Sequence, residues 1–207
     1  MRRGLAVLMF VFCFLSCAEV SHATVLTFED LYPGSMSIAP IEPGYAGFSW
    51  GSRAYVMASD YNLYSGYATG TIGTTNLFTI NSGGGAYDLS MTRIGGTFTL
   101  NGAYLTSAWM DSLNVTVEGW ASGSKVYTKT VNANDSAPSW FDFDFYDVET
   151  VWFRPLENGD GIQAEHLVLD NITINEVENA TVPEPATLLL FGLGSVGVAF
   201  RKRFIKS

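Results

Sequence analysis

Apolar and polar side chains alternate along much of the middle of the chain, a pattern typical of β-strands. In 113–118 every second side chain is apolar, and in 140–145 three phenylalanines share one face opposite Trp140, Asp142 and Asp144. Further short runs rich in Val, Thr, Tyr and Phe lie at 25–28, 46–50, 75–80, 97–100, 103–109, 125–131, 148–154 and 167–174. Gly, Asn, Asp and Ser bound these runs, so the spacing predicts many short strands.

The segments between these runs have the composition of turns and loops. Residues 121–124 (Ala-Ser-Gly-Ser) predict a hairpin connection, and the prolines within 32–43 predict a long loop. The Tyr-, Gly- and Ser-rich segment 59–73 fits either a surface loop or an irregular strand pair. No convincing amphipathic helix precedes Pro183, so we predict an all-β antiparallel β-sandwich or jelly roll over residues 24–175.

Both ends of the chain differ from this body. Residues 1–23 combine an Arg-containing start, an apolar core and a small-x-small site at 21–23, which predicts a secretory signal peptide. A lipoprotein signal that would acylate Cys17 is the alternative. At the other end a linker, 176–182, leads to residues 183–207, where the apolar segment 186–200 predicts a short transmembrane helix closed by basic residues.

Removing the two ends changes the composition of the remaining domain. Both cysteines, Cys13 and Cys17, lie in the predicted signal peptide, so the domain has no disulfide available. Of eleven Lys and Arg and twenty Asp and Glu, five cations and eighteen acids lie within 24–182. Nucleic acid is therefore not an expected partner, because phosphate binding needs clustered Lys and Arg. Divalent cations, neutral sugars or a cationic protein fit this charge better.

The C-terminal tail resembles the PEP-CTERM sorting tail of exported bacterial proteins. The resemblance rests on Pro183, Glu184 and Pro185, the apolar segment after them, and the basic residues Arg201, Lys202 and Arg203. It implies recognition and cleavage by an exosortase-type processing protease. The protein is then transiently membrane-anchored before it reaches the cell surface or the extracellular space. The family is associated with extracellular polysaccharide, and hence with exopolysaccharide matrices and biofilms.

Motifs in the body resemble PEP-CTERM proteins with a galactose-binding-like jelly roll. They are the segments 27–30, 103–109, 115–120 and 169–174. The resemblance implies that the first and last strands lie close together, a closure that carries a structural calcium in related sandwiches. Glu29, Asp30, Asp170 and Asn171 supply the oxygen ligands that calcium prefers, and the apolar positions swap faces at 170–171, which suggests a β-bulge. The alternative is that Asp30 caps a loop and Asp170 lies in a turn.

Carbohydrate binding is the second candidate chemistry, because sugar rings stack on aromatic faces beside polar groups. The aromatic candidates are Trp50, Tyr61, Tyr64, Tyr67, Trp109 with Asp111, and Trp140 with Asp142. We select Tyr61, Tyr64, Tyr67, Trp109 and Asp111, since the tyrosines lie in a loop-like context. For each aromatic residue the competing interpretation is a place in the core.

The sequence offers no identifiable catalytic constellation. His166 is the one histidine of the domain, and no nucleophile elbow follows a strand. We therefore expect an exported cell-surface or extracellular-matrix protein, structural or adhesive, with weak glycan binding. The alternatives are a secreted polysaccharide-modifying enzyme, a glycoside hydrolase or lyase, and a subunit of an assembly that binds no sugar.

Overall fold

The structure, a computed structural model, describes residues 23–79, 88–156 and 166–175. The predicted signal peptide, the predicted linker and the sorting tail with its predicted apolar helix lie outside these residues. No helix in the described part is long and apolar enough to cross a membrane.

Twelve strands make up most of the described residues. They are β1 Thr24–Leu26, β2 Ile38–Pro40, β3 Phe48–Trp50, β4 Ala54–Ala58, β5 Thr75–Thr79, β6 Leu89–Arg93, β7 Phe98–Ser107, β8 Leu113–Ala121, β9 Ser124–Ala133, β10 Ser139–Val148, β11 Thr150–Pro155 and β12 Leu167–Ile174. One short helix, α1 Gly66–Thr69, and two 3-10 turns, Glu29–Leu31 and Tyr45–Gly47, complete the described elements.

The strands form two antiparallel sheets. The seven-stranded sheet has the order β10-β7-β12-β5-β4-β2, with β1 pairing along β12, and the five-stranded sheet has the order β3-β6-β11-β8-β9. This arrangement confirms the predicted all-β antiparallel sandwich. The first and last strands pair directly, Thr24 opposite Ile174.

The core lies between the inner faces of the two sheets. Side chains from both sheets are fully buried there, among them Leu77, Leu105 and Leu169 of the larger sheet and Val117, Val151 and Phe153 of the smaller one. Burial of this apolar surface is the main stabilising contribution to such a fold. The period-two alternation of β8 and β11 follows from having one face in this core and one face outside it.

Two local predictions, a hairpin turn and a β-bulge, are confirmed. Ser122 and Gly123 connect β8 to β9 with φ of 49° and 73°, the left-handed pair that a two-residue hairpin turn requires. The register of β12 against β7 shifts between Asp170 and Thr173, which is the predicted bulge.

The segment 59–74 forms neither a plain loop nor a strand pair. It contains α1 and lies against the outer face of the seven-stranded sheet, where Met57, Tyr67, Phe78, Ala108 and Val168 form a second apolar cluster. Gly66 permits this contact, because an added Cβ would lie 1.7 Å from the Ser107 carbonyl oxygen. The predicted loop 32–43 also differs, since it contains β2.

Candidate functional site

The outer face of the five-stranded sheet carries a continuous set of polar and aromatic side chains. Strand alternation places them opposite the core residues of the same strands. They are Ser90 and Thr92 of β6, Thr150, Trp152 and Arg154 of β11, Asn114, Thr116, Glu118 and Trp120 of β8, and Thr128, Thr130 and Asn132 of β9. We call this set the open face.

Glu118 is the centre of the open face. Its Oε1 lies 2.8 Å from Lys125 Nζ, and its Oε2 accepts hydrogen bonds from Trp120 Nε1 at 3.2 Å and from Arg154 Nε at 3.0 Å. Arg154 also pairs with Asp88 at the end of the neighbouring strand. Glu118 is only 8 % exposed although it points away from the core, because its three donors surround it. The carboxylate is therefore held in one orientation.

The pKa values of the two acids differ because their partners differ. Burial acts to raise the pKa of Glu118, but the hydrogen bonds from Lys125, Trp120 and Arg154 outweigh it, so the pKa is lowered. Burial raises the pKa of Asp88, and Arg154 opposes it only in part. We therefore expect Glu118 to remain ionised at neutral pH.

Two tryptophans flank this carboxylate. Trp152 is paired with Glu118 and Trp120 with Thr150, which makes the indoles diagonal neighbours on adjacent strands. The Arg154 guanidinium lies 4.5 Å from the centroid of the Trp152 ring, so it fixes that ring by a cation–π contact. Both indoles are half-buried, and each therefore keeps accessible aromatic surface.

Rows of hydroxyl and amide groups cross the rest of the open face. Thr92 and Thr150 are joined by a 3.0 Å hydrogen bond between their hydroxyls, and Thr116 and Thr130 are joined in the same way. Asn132 Nδ2 donates to Asn114 Oδ1 at 2.9 Å. These cross-strand pairs present donors and acceptors beside the indoles.

Sequence reasoning did not select Trp120, Trp152, Glu118 or Arg154. The signal was present in the alternation itself, because aromatic and charged residues occupy the positions of β8 and β11 that the core does not use. Their assembly depends on the pairing of β8 with β11, which places Glu118 opposite Trp152. That register cannot be read from either strand alone.

The sequence-predicted aromatic residues lie elsewhere, on and beside the segment 59–74. Tyr64 is 97 % exposed, Tyr61 and Trp109 are partly exposed, and Tyr67 is only 5 % exposed. The Tyr67 ring packs edge-on against Trp109 at a centroid distance of 5.5 Å, and its hydroxyl bonds to His166 Nδ1. Tyr67 therefore supports its neighbours and presents no open ring face. Asp111 is exposed near Trp109 in the chain.

His166 belongs to this buried contact. Burial lowers its pKa to about 4, so the imidazole is neutral at ordinary pH. Its contact with Tyr67 joins the start of β12 to α1, which are 99 positions apart in the chain. This position is that of a packing residue.

The structure brings some of the predicted calcium ligands together. Asp170 is fully buried, and its Oδ2 accepts from the Ile72 backbone N–H and its Oδ1 from that of Asn171, both at 2.7 Å. Burial raises the pKa of Asp170 to about 7, and the nearby Glu29 charge adds to the shift. Glu29 accepts hydrogen bonds from Thr74 and Thr75. Asp30 points elsewhere and accepts from the Tyr45 hydroxyl at 2.8 Å.

These contacts bear on whether the residues fit a calcium ion. The Glu29 charge acts on the buried Asp170, and Asn171 Oδ1 and Thr75 Oγ1 are buried with no hydrogen-bond partner among the described residues. Oxygen atoms of this kind are the ligands that calcium takes. The described residues contain no group of three or more His, Cys, Asp or Glu arranged for a metal. The fit therefore rests on Glu29, Asp170 and Asn171.

One further concavity lies at the end of the sandwich beside Trp50. Its volume is about 340 Å³, and its lining is mostly apolar, with Pro40, Ile41 and Ile94 around the indole. Trp50 Nε1 donates to the Tyr45 carbonyl at 3.1 Å. Among the described residues its polar side chains are those of Ser49 and Ser52, and none of its lining residues is charged.

Comparison with known proteins identifies the tail. Residues 181–203 match the PEP-CTERM protein-sorting motif, which confirms the resemblance of Pro183, Glu184, Pro185 and the basic residues. No curated protein matches the sequence.

Among solved structures the chain is similar to carbohydrate-binding modules. A mutant of a family 29 carbohydrate-binding module is 12 % identical with a TM-score of 0.45, covering 75 % of this chain and 91 % of that one. A family 51 module from Clostridium perfringens, solved with methyl-galactose, is 11 % identical with a TM-score of 0.37, covering 73 % and 99 %. A xylanase fragment from Clostridium thermocellum, solved with xylohexaose, is 11 % identical with a TM-score of 0.40, covering 72 % and 29 %. These low values say nothing about a ligand of this chain.

Proposed function

We propose that this protein is exported, is sorted through its C-terminal tail, and binds an extracellular polysaccharide with the open face of its five-stranded sheet. The observation that carries the binding proposal is the pair of half-buried tryptophans, Trp120 and Trp152, around the fixed Glu118 carboxylate. The role of the protein is structural or adhesive, at the cell surface or in the extracellular matrix.

The chemistry of the open face suits a sugar chain. The apolar C–H faces of a sugar ring stack on indole, while its hydroxyls exchange hydrogen bonds with carboxylate, guanidinium and hydroxyl groups. Glu118, Arg154 and Trp120 already hold one another, so little side-chain freedom is lost on binding. The sheet surface also admits the side of a long chain, whereas the concavity beside Trp50 has a volume of only about 340 Å³ and a mostly apolar lining.

The test is the affinity of the full-length protein for a panel of neutral and acidic polysaccharides, measured by affinity electrophoresis. Trp120→Ala and Trp152→Ala are expected to weaken binding by about tenfold or more each, since one aromatic stacking contact contributes roughly 1–3 kcal/mol. Trp109→Ala is the matched control, because Trp109 is an exposed indole outside the open face. Loss of binding in Trp109→Ala with unchanged binding in the two open-face variants would contradict the assignment.

We infer binding without turnover. The Glu118 carboxylate is held by three donors and the neighbouring Asp88 is paired with Arg154, so both acids are engaged with protein groups, whereas glycosidase chemistry needs two carboxyl groups facing the scissile bond. Incubation of the purified protein with each polysaccharide that it binds is expected to release no reducing ends. Their release at a rate proportional to protein concentration would favour the enzyme alternative.

The sorting step is a separate part of the proposal. We infer that an exosortase-type protease cleaves near Pro183–Pro185 after transient insertion of the apolar segment into the membrane. Co-expression with an exosortase is expected to shorten the chain at this point, as measured by intact mass. The substitution of both prolines by alanine should prevent that change, and unchanged processing would contradict the role of the motif.

A structural calcium at Glu29, Asp170 and Asn171 is the remaining proposal. The ion would neutralise the buried Asp170 carboxylate and the partly buried Glu29 carboxylate near it. Calcium is then expected to raise the melting temperature, and Asp170→Asn to remove that response. A chelator that leaves the melting temperature unchanged would contradict the proposal.

A further inference from the structure

The outer face of the seven-stranded sheet carries an exposed aromatic site of its own. Trp140 of β10 is 37 % exposed and is paired with Tyr104 of β7, while Asp142 is paired with Gly102. These side chains point away from the core, because Phe141 between them is the one that packs inward. The segment 59–74 covers the sheet at Phe78, at Val168 and at the Ser107 end of β7, and Trp140 remains exposed beyond that cover.

Three contacts hold the Trp140 indole in place. The ring lies over the backbone at Gly102, where an added Cβ would be 2.3 Å from Trp140 Cζ2. Trp140 Nε1 donates to Asp142 Oδ1 at 2.6 Å. The Tyr104 ring meets the indole edge-on at a centroid distance of 5.2 Å. The indole is therefore immobilised at the surface before any ligand arrives.

The composition of this site favours a sugar over a protein partner. It consists of an indole, a phenol ring and the exposed carboxylate of Asp142, with Asp144 two positions further along the strand. No exposed Leu, Ile or Met side chain lies on β7 or β10 among the described residues. A protein interface needs a wider apolar patch, of several hundred Å², whereas one ordered indole beside an acceptor matches the size and polarity of a sugar ring.

We propose that Trp140, Tyr104 and Asp142 form a second glycan-binding site, which faces away from the open face. The two sites lie on opposite outer surfaces of a two-layer sandwich, so one short oligosaccharide cannot contact both. One molecule then binds two separate polysaccharide chains and cross-links them. This inference rests on the proposed function, since it assigns a second site to the same class of ligand.

Cross-linking and simple binding are measured separately. The full-length protein, shown to be monomeric by light scattering, is mixed with the soluble polysaccharide to which it binds most strongly. Particle size and viscosity are expected to rise with protein concentration and to fall again at excess protein. Trp140→Ala and Trp120→Ala should each abolish the rise while keeping binding to the free polysaccharide, and on an immobilised polysaccharide gel each should lose about a hundredfold in apparent affinity. The double variant should not bind.

Gly102→Ala tests the contact between the Trp140 indole and the backbone at Gly102 without removing the indole. The added methyl group displaces the ring, and cross-linking should fall as it does in Trp140→Ala. Val126→Ala, an exposed apolar residue on β9, is the control for surface substitution. Folding of each variant is verified by its melting temperature. If Gly102→Ala fails to fold, Tyr104→Ala, which removes the ring that meets the indole edge-on, should lower cross-linking in its place.

The outcomes separate the two proposals. Undiminished cross-linking by Trp140→Ala would overturn the second site and leave the open face intact. If Trp140→Ala lost all binding while Trp120→Ala bound as the unmodified protein does, both the open-face site and the two-site arrangement would be contradicted. Cross-linking by a monomer that disappears in either single variant is the result that supports the inference.

Discussion

The two outer faces of the sandwich differ in what covers them. On the seven-stranded sheet, Met57, Phe78 and Val168 are apolar, and the segment 59–74 lies over them with Tyr67 inserted into the cluster. On the five-stranded sheet the corresponding positions carry Thr, Asn, Glu, Arg and Trp, which form hydrogen bonds among themselves. Apolar side chains on an outer face need a cover, whereas a self-satisfied polar face with embedded indoles is already stable in water.

The difference also explains where binding is expected. A covered face contributes to stability and has little free surface, while an open face keeps its side chains available to a ligand. Trp140 lies on the seven-stranded sheet but outside the apolar cluster that the segment 59–74 covers. For this reason its chemical surroundings resemble those of the open face. Substitutions on the covered face should therefore mainly reduce stability, and substitutions on the open face should mainly reduce binding.

The largest effect is expected from Phe78→Ala on the covered face. Phe78 is 2 % exposed and contacts the Tyr67 ring at a centroid distance of 5.3 Å. Its truncation leaves a cavity under α1 and should cost about 3–5 kcal/mol of unfolding free energy. Denaturant unfolding followed by fluorescence measures this cost. A loss below about 1 kcal/mol would mean that the cover contributes little.

Gly66→Ala should have the next largest effect. The new Cβ would overlap the Ser107 carbonyl oxygen, so α1 must move away from β7. Overpacking of this kind costs about 1–3 kcal/mol. Gly123 has a positive φ, so Gly123→Ala would strain the backbone and is not a suitable control. Ala68→Gly, on the same helix as Gly66, is the control. Hydrogen exchange should show that amides of 65–72 lose protection in Gly66→Ala, and unchanged protection would contradict the close contact.

A pH dependence is expected at the edge of the covered face, through Asp170. The folded state raises its pKa from 3.8 to about 7, so the folded state holds this proton more tightly than the unfolded chain does. Without calcium, the stability that this proton contributes is fully present below about pH 4 and is lost as the pH rises through 7. The melting temperature in chelator should therefore fall over that range. Asp170→Asn should flatten the profile, and an equal slope in both proteins would exclude Asp170 as its cause.

The smallest stability effect is expected on the open face. Trp120→Ala removes a half-buried ring and one hydrogen bond to Glu118, which keeps its bonds to Lys125 and Arg154. The cost should be about 1 kcal/mol or less. Together with weaker binding to an immobilised polysaccharide, this result would separate the open face from the covered one. A cost comparable to that of Phe78→Ala would erase the distinction.

Much of the fold was predictable because it is locally encoded. The alternation in β8 and β10, the two-residue turn at 122–123 and the bulge after Asp170 each depend on a few consecutive residues. The segment 59–74 was not predictable in the same way. Its four-residue helix is too short for a periodic signal, and Gly66 and Tyr67 are helical because β7 and Phe78 lie beneath them.

The candidate site also has a part that was predictable from the sequence and a part that was not. The residue types of sugar binding were visible in the sequence, but the selected tyrosines belong to the cover of one sheet, and the tryptophans of the open face were not selected. Their proximity to Glu118 and Arg154 arises from strand register. No local property of β8 or β11 determines which residues stand opposite each other.

What the sequence by itself determined is the all-β class, the acidic cysteine-free body and the sorting motif at 181–203, because each is a matter of local order and composition. What only the tertiary structure decided is which side chains face water and which neighbours they have. Two strands far apart in the chain must pair before Trp152 meets Glu118 or Trp140 meets Gly102. Those contacts are non-local, and the free energy that selects them comes from burying the common core between the sheets.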